Sequence, residues 1–81
     1  MTKEQVINIL KEEISRESGL PITEIADHAD FFSLGLDSIS SVYVLDRLEK
    51  KIRLELNPIY FWDYPTGESL SAFLATKKGD D

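Results

Sequence analysis

Hydrophobic residues recur at helical spacing near the start of the chain. This run follows Thr2 and Gln5, whose separation is typical of a capping box, and consists of Val6, Ile9, Leu10 and Ile14. The pattern predicts a first helix over about 3–17. Gly19 and Pro21 end it, because glycine allows a left-handed cap and proline cannot continue the backbone hydrogen bonds.

A second helix is predicted over about 38–51, with Asp37 as its N-cap residue. On a helical wheel of about 100° per residue its core-facing side chains share one arc: Ser41, Val44, Leu45, Leu48 and Ile52. A separate apolar arc lies near Ser38 and Asp46 and contains Ile39, Val42 and Tyr43. These side chains could pack beneath the preceding connection, stay exposed as single apolar residues of the surface, or form a docking face. Helical spacing alone leaves all three open.

The rest of the chain contains shorter elements. Residues 52–56 alternate apolar and charged side chains but have no second strand to pair with, so an extended loop is predicted. Asn57-Pro58 predicts a short third helix over about 58–62, and Thr66 predicts a fourth over about 66–77, followed by a disordered tail, 78–81. The predicted fold is all-α: one domain, 1–81, forming a four-helix bundle with a long first loop and a short third helix.

Composition narrows the function. The 81 residues carry a net charge of -6 and no cysteine, which disfavours nucleic acid and anionic membranes as partners and excludes disulfides and thiolate metal sites. Basic protein surfaces are the expected partners. The chain begins without a signal peptide pattern and contains no span long enough for a membrane, so we expect a cytoplasmic protein. We also expect it to be a monomer.

The candidate chemistry lies where the long loop meets the second helix, in Leu34-Gly35-Leu36-Asp37-Ser38-Ile39. A hydroxyl in the first turn of a helix lies near free backbone amides and the positive end of the helix dipole. Both favour a phosphate bonded to that side chain. Ser38 is therefore predicted to hold a phosphodiester.

The sequence resembles an acyl carrier protein of the polyketide kind. The resemblance lies in residues 34–39 and in three later groups: Val42, Arg47-Leu48-Glu49 and Trp62-Asp63-Tyr64-Pro65-Thr66. The resemblance implies a 4′-phosphopantetheine arm on Ser38, with Asp37 beside it. It also implies that partner enzymes dock through Ile39, Val42 and Asp46. Tyr43 is added to this predicted docking set because it lies in the same apolar arc. The implied partners are a phosphopantetheinyl transferase and a ketosynthase, acyltransferase or loading ligase.

Several alternatives stay open. Ser40 and Tyr43 stand where fatty-acid carriers have acids, and Leu36 stands where peptidyl carriers have glycine, so both carrier types fit less well than the polyketide type. A helical interaction module that carries no cargo is the alternative outside the carriers. A hydrolase using Ser38 and His28 lacks the glycines of a nucleophile elbow, so we expect no enzyme activity.

Two further features have ordinary structural explanations. The segment Asp27-His28-Ala29-Asp30 has no recognisable metal-ligand spacing and is predicted to be a solvated turn rather than a metal site. Trp62 is a large aromatic residue before a helix end and is predicted to belong to the core.

Overall fold

The computed structural model describes residues 1–77, and within them the chain forms four α-helices. These are α1 (Lys3–Ser18), α2 (Ser38–Ile52), α3 (Tyr60–Asp63) and α4 (Gly67–Thr76). The predicted disordered tail, 78–81, lies outside the described residues. The all-α class, the long first connection and the short third helix are confirmed.

Local hydrogen bonds begin and end α1 where the sequence predicts. The Thr2 side chain accepts a hydrogen bond from the Gln5 amide at 3.1 Å, and the Thr2 amide donates to Gln5 Oε1 at 2.9 Å. Gly19 ends the helix in the left-handed conformation, with φ of 82°. This conformation is nearly free of steric cost for glycine, which explains why the helix ends there.

The core lies where α1 packs against both α2 and α4. The α2 residues that face it are the predicted set: Ser41, Val44, Leu45, Leu48 and Ile52. Phe31 of the long connection and Phe61 of α3 are fully buried and stack with their ring centroids 4.4 Å apart. This aromatic pair joins the connection and α3 to the helical core.

The long connection is held by backbone hydrogen bonds and contains two short 3-10 turns, Ile22–Glu24 and Phe32–Leu34. The Phe31 amide donates to the carbonyl of Pro65 at 2.8 Å, which ties the connection to the segment before α4. Gly35 then turns the chain in the left-handed conformation, with φ of 97°. Ser38 therefore follows a segment with a defined path.

The third helix begins later than predicted, at Tyr60 rather than at position 58. Asn57 Oδ1 accepts a hydrogen bond from the Ile59 amide at 3.0 Å, and the Asn57 carbonyl accepts one from the Tyr60 amide at 2.9 Å. These bonds form a turn in which Pro58 lies outside the helix. The extended loop predicted over residues 52–56 begins one residue later, because Ile52 is the last residue of α2. Within it Leu56 is buried, Leu54 is half-buried, and Arg53 and Glu55 are exposed.

The prediction that Trp62 belongs to the core is wrong. Its side chain is 59% exposed and stacks on Phe32 of the long connection, with ring centroids 4.6 Å apart. The inward position in α3 is taken by Phe61, and consecutive helical residues cannot point in the same direction. Trp62 therefore lies on the surface.

An ion network joins α1 to α2. Arg47 Nε lies 2.6 Å from Glu13 Oε1, and Arg47 Nη2 lies 2.9 Å from Glu17 Oε1. Lys51 Nζ lies 2.6 Å from the other oxygen of Glu13, which is only 1% exposed. Burial alone raises the pKa of Glu13, but hydrogen bonds from Lys51 and Arg47 outweigh it and hold that pKa below its usual value.

Candidate functional site

Ser38 is the first residue of α2, and its side chain is exposed to solvent. Within residues 1–77 its hydroxyl makes no hydrogen bond, whereas its backbone carbonyl accepts one from the Ser41 hydroxyl at 3.1 Å. Buried Leu36 and buried Ser41 lie on either side of it along the chain and anchor the junction. The hydroxyl is thus presented to solvent from a fixed backbone.

Asp37 caps α2 as predicted, and it changes the electrostatics expected at Ser38. Its Oδ1 accepts hydrogen bonds from the Ile39 amide at 3.0 Å and from the Ser40 amide at 2.8 Å. The expectation of free amides is therefore wrong for these two groups, because the Asp37 carboxylate already binds them. A phosphate on Ser38 would have the dipole of α2 and the Ser38 amide near it.

Ser40 completes this cap. Its hydroxyl accepts a hydrogen bond from the Asp37 amide at 2.8 Å, so the two residues bind each other reciprocally. The hydrogen bonds from the amide and hydroxyl of Ser40 are the main cause of a lowered pKa at Asp37. Asp37 is therefore ionised at neutral pH, directly beside Ser38.

The second apolar arc of α2 is exposed and does not pack beneath the connection. The exposed fractions are 67% for Ile39, 45% for Val42 and 55% for Tyr43. These three side chains begin one residue after Ser38 and extend over the first turns of the helix. We call this set the α2 face.

Asp46, the remaining predicted docking residue, is also exposed but lies beside a positive charge. Lys50 Nζ is 3.2 Å from Asp46 Oδ2, one helical turn away. The prediction of the site missed Lys50, although its spacing of four residues from Asp46 is a recognisable sequence signal. Asp46 is therefore not an isolated negative charge.

An aromatic pair that the sequence did not indicate joins the long connection to α3. Phe32, in the 3-10 turn that precedes Ser38, stacks against the exposed ring of Trp62. No local pattern pairs these residues, because they are 30 positions apart and meet only through the packing of α3 on the connection. Ile59, which precedes α3, is 51% exposed and adds further apolar surface.

The two carboxylates of the segment Asp27-His28-Ala29-Asp30 bind other groups of the chain. Asp27 forms an ion pair with Lys11 of α1, and Asp30 Oδ1 accepts a hydrogen bond from the Phe32 amide at 2.8 Å. Each therefore stabilises the path of the connection.

A small helical bundle that presents an unbonded serine hydroxyl at a helix start, beside an apolar face, has the features of a carrier domain. The family model described as "Phosphopantetheine attachment site" matches residues 8–74. The chain belongs to this family, whose members bind 4′-phosphopantetheine covalently on a serine.

The chain is also similar to short segments of large synthases. The chain is 41% identical over 68 residues to norsolorinic acid synthase of Dothistroma septosporum, covering 82% of this chain and 3% of that protein. It is 32% identical over 76 residues to 5-methyl-1-naphthoate synthase of Streptomyces sahachiroi, covering 94% and 4%. The chain thus spans only a few per cent of the length of these relatives.

Solved carrier structures share the fold. A free-standing peptidyl carrier protein from Acinetobacter baumannii has a TM-score of 0.87 and 33% identity, covering 93% of this chain and 94% of that chain. The HMG-ACPI domain of the CurA module from Lyngbya majuscula also has a TM-score of 0.87, with 28% identity and coverage of 98% and 80%.

The residues at the start of α2 fit the family's cofactor. The Ser38 hydroxyl is exposed and has no hydrogen-bond partner within residues 1–77, so it is sterically and chemically available for a covalent bond. When bound, a phosphopantetheine group supplies a thiol that carries acyl groups as thioesters, and this chain has no cysteine thiol of its own. Within the described part of the chain, none of the helices is both long enough and apolar enough to cross a bilayer.

Proposed function

We propose that the chain carries acyl intermediates of polyketide synthesis as thioesters on a 4′-phosphopantetheine arm attached to Ser38. The observation that carries the proposal is the exposed, unbonded hydroxyl at the first residue of α2, in a chain that belongs to a phosphopantetheine attachment family. The protein's own role is to hold and present the arm, and it performs no catalysis.

The polyketide assignment is supported by the names of the relatives. These include norsolorinic acid synthase, 5-methyl-1-naphthoate synthase and several proteins named as polyketide synthases. The similarity to a peptidyl carrier structure supports an aminoacyl cargo as the second candidate. Leu36 argues against that candidate, because it stands where peptidyl carriers have glycine and its side chain is buried in this core.

The proposed partners follow from the proposed cargo. A phosphopantetheinyl transferase attaches the arm, and a ketosynthase, acyltransferase or loading ligase exchanges acyl groups with it. We propose that these enzymes dock on the α2 face and near Asp46, which lie on the same helix as Ser38. The chain is also proposed to act as a monomer, because nothing in the exchange of acyl groups requires a second copy. The cytoplasm is the proposed compartment.

Intact-mass measurement tests the attachment. The 81-residue chain is incubated with coenzyme A and a broad-range phosphopantetheinyl transferase, and we expect the mass to rise by one phosphopantetheine group. Ser38→Ala should abolish this increase while leaving the far-UV circular dichroism and the melting temperature nearly unchanged, because the Ser38 side chain makes no hydrogen bond within residues 1–77.

Ser33→Ala is the matched control, because Ser33 is another exposed serine of the same region and its hydroxyl bonds only to the Asp30 carbonyl. This variant should accept the arm as the unchanged chain does. Failure of the unchanged chain to gain mass with several transferases would contradict the carrier function and favour an interaction module without cargo. Unfolding of Ser38→Ala would instead indicate a structural role for Ser38.

A further inference from the structure

Ser38 has no bond of its own that fixes its side chain. Its exposed hydroxyl makes no hydrogen bond within residues 1–77, so the position of that oxygen depends on the backbone at the start of α2. The first turn of a helix lacks intrahelical partners for its amides and frays readily. The groups that hold this turn therefore determine where the Ser38 oxygen lies.

Two neighbouring serines hold the first turn of α2. Ser40 is half-buried, and its hydroxyl accepts a hydrogen bond from the Asp37 amide at 2.8 Å and donates one to Asp37 Oδ1 at 3.0 Å. Ser41 is buried, and its hydroxyl donates to the Ser38 carbonyl at 3.1 Å. Serine side chains thus bind both the residue before Ser38 and Ser38 itself.

Ser41 differs from the other core-facing residues of α2. Its side chain is 4% exposed, whereas the remaining four residues of that face are aliphatic. A buried hydroxyl costs free energy unless it is hydrogen-bonded, and an alanine would fill nearly the same space without that cost. The bond that the Ser41 hydroxyl makes within residues 1–77 goes to the Ser38 carbonyl. The polar side chain in this part of the core is therefore bound to the residue that receives the arm.

The start of α4 has the same bonds at a distance from Ser38 along the chain. Ser69 is half-buried, and its hydroxyl accepts a hydrogen bond from the Thr66 amide at 3.1 Å. Ser71 is buried, and its hydroxyl donates to the Glu68 carbonyl at 3.2 Å. These two serines match the pair in α2 in both burial and bonding. The chain therefore contains its own comparison, because only the pair in α2 holds the residue that receives the arm.

Resting on the proposed function, we propose that Ser40 and Ser41 are positioning residues for attachment of the arm, because their hydroxyls hold the first turn of α2 and with it the Ser38 oxygen. In the attachment this oxygen attacks the phosphorus atom that bears pantetheine in coenzyme A. The bond from that phosphorus to adenosine 3′,5′-bisphosphate breaks, and the hydroxyl proton passes to a base of the transferase. The attacking oxygen must lie in line with the leaving oxygen, so a loosely held turn lowers the rate.

Single-turnover kinetics test this role in the full 81-residue chain, with coenzyme A and a broad-range phosphopantetheinyl transferase in excess. Ser40→Ala and Ser41→Ala should each lower the maximal rate constant about three- to tenfold, because the oxygen is in line less of the time. The transferase concentration that gives half of that rate should change less than about twofold, because the exposed residues around Ser38 are unaltered. Ser40→Thr keeps a hydroxyl and should restore the rate constant.

Ser69→Ala and Ser71→Ala are the controls, because they remove the corresponding bonds at the start of α4. Each should lower the melting temperature about as much as its counterpart in α2 but leave the rate constant nearly unchanged. The inference is overturned if Ser40→Ala or Ser41→Ala reacts at the unchanged rate, if Ser40→Thr restores nothing, or if the α4 variants slow the transfer equally. An unchanged chain that gains no arm contradicts the proposed function itself, which separates the two failures.

Discussion

Leu48 illustrates how a single residue of α2 determines the stability of the bundle. Its side chain is fully buried in the core, whereas Ile39 on the same helix is 67% exposed. We expect Leu48→Ala to lower the free energy of unfolding by about 2–5 kcal/mol, because it removes buried methyl groups and leaves a cavity. Ile39→Ala, the control, should change it by less than about 0.5 kcal/mol, apart from small effects of helix propensity.

Urea denaturation followed by circular dichroism measures both variants. The prediction depends on the rotation of α2 about its own axis, which decides the side chains that enter the core. A nearly neutral Leu48→Ala together with a strongly destabilising Ile39→Ala would mean that α2 presents the opposite face to α1.

At the scale of elements, the network around Glu13 fixes α2 against α1. Glu13→Gln should lower the free energy of unfolding by about 1–3 kcal/mol at pH 7, because it leaves Lys51 and Arg47 without their buried anionic partner. Glu12→Gln is the control: Glu12 is the exposed neighbour on α1, and its replacement should have little effect.

The pH dependence of this difference has a definite sign. The pKa of Glu13 is lower in the folded chain than its ordinary value of 4.5, so the carboxylate contributes stability above that value. The contribution is lost as the pH falls through the lowered pKa of the folded state. Denaturation midpoints of the unchanged chain and of Glu13→Gln should therefore converge below about pH 4.5, and a gap that stays constant would contradict the role of the Glu13 charge.

The elements that the sequence predicts well are those determined locally. Thr2, Asp37 and Thr66 each cap a helix by bonding to a residue three positions ahead, so their spacing alone indicates where α1, α2 and α4 begin. The start of α3 was predicted two residues early, because Asn57-Pro58 is as compatible with an isolated turn as with a helix start.

Features formed between distant residues could not be predicted in the same way. Glu13 and Arg47 are 34 positions apart and meet only when α1 packs on α2. The exposure of Trp62 likewise depends on whether Phe61 or Trp62 turns toward Phe31, which the short α3 does not encode in its pattern. For the site, the cap at Asp37 and the position of Ser38 followed from local sequence, while the pairing of Phe32 with Trp62 required the tertiary fold.

At the scale of the whole molecule, net charge is a poor guide to what binds at Ser38. The overall charge of -6 indicates basic partners, but the connection over residues 19–37 holds most of it, and the three basic side chains of α2 are all paired with carboxylates of α1 or α2. Within the Debye length of about 8 Å at physiological ionic strength, the charges nearest a docked enzyme matter most. The shape and apolarity of the α2 face should therefore dominate close recognition.

Val42→Asp tests that face in a transfer assay with a ketosynthase or acyltransferase from the synthase that the chain serves. Placing a charge where an apolar partner surface must dock should lower kcat/KM by about tenfold or more, which corresponds to about 1.4 kcal/mol of lost binding. Modification by a promiscuous phosphopantetheinyl transferase should still reach completion. The urea midpoint should stay nearly unchanged, because Val42 is 45% exposed and lies outside the buried core.

Ile22→Asp is the matched control for this last experiment. Ile22 is 46% exposed, so the same change from an aliphatic side chain to a carboxylate occurs at nearly equal exposure, but on the long connection rather than on α2. We expect transfer by Ile22→Asp to proceed at close to the unchanged rate. Equal losses in both variants would assign the effect to added negative charge anywhere on the surface, whereas a loss confined to Val42→Asp would assign docking to α2.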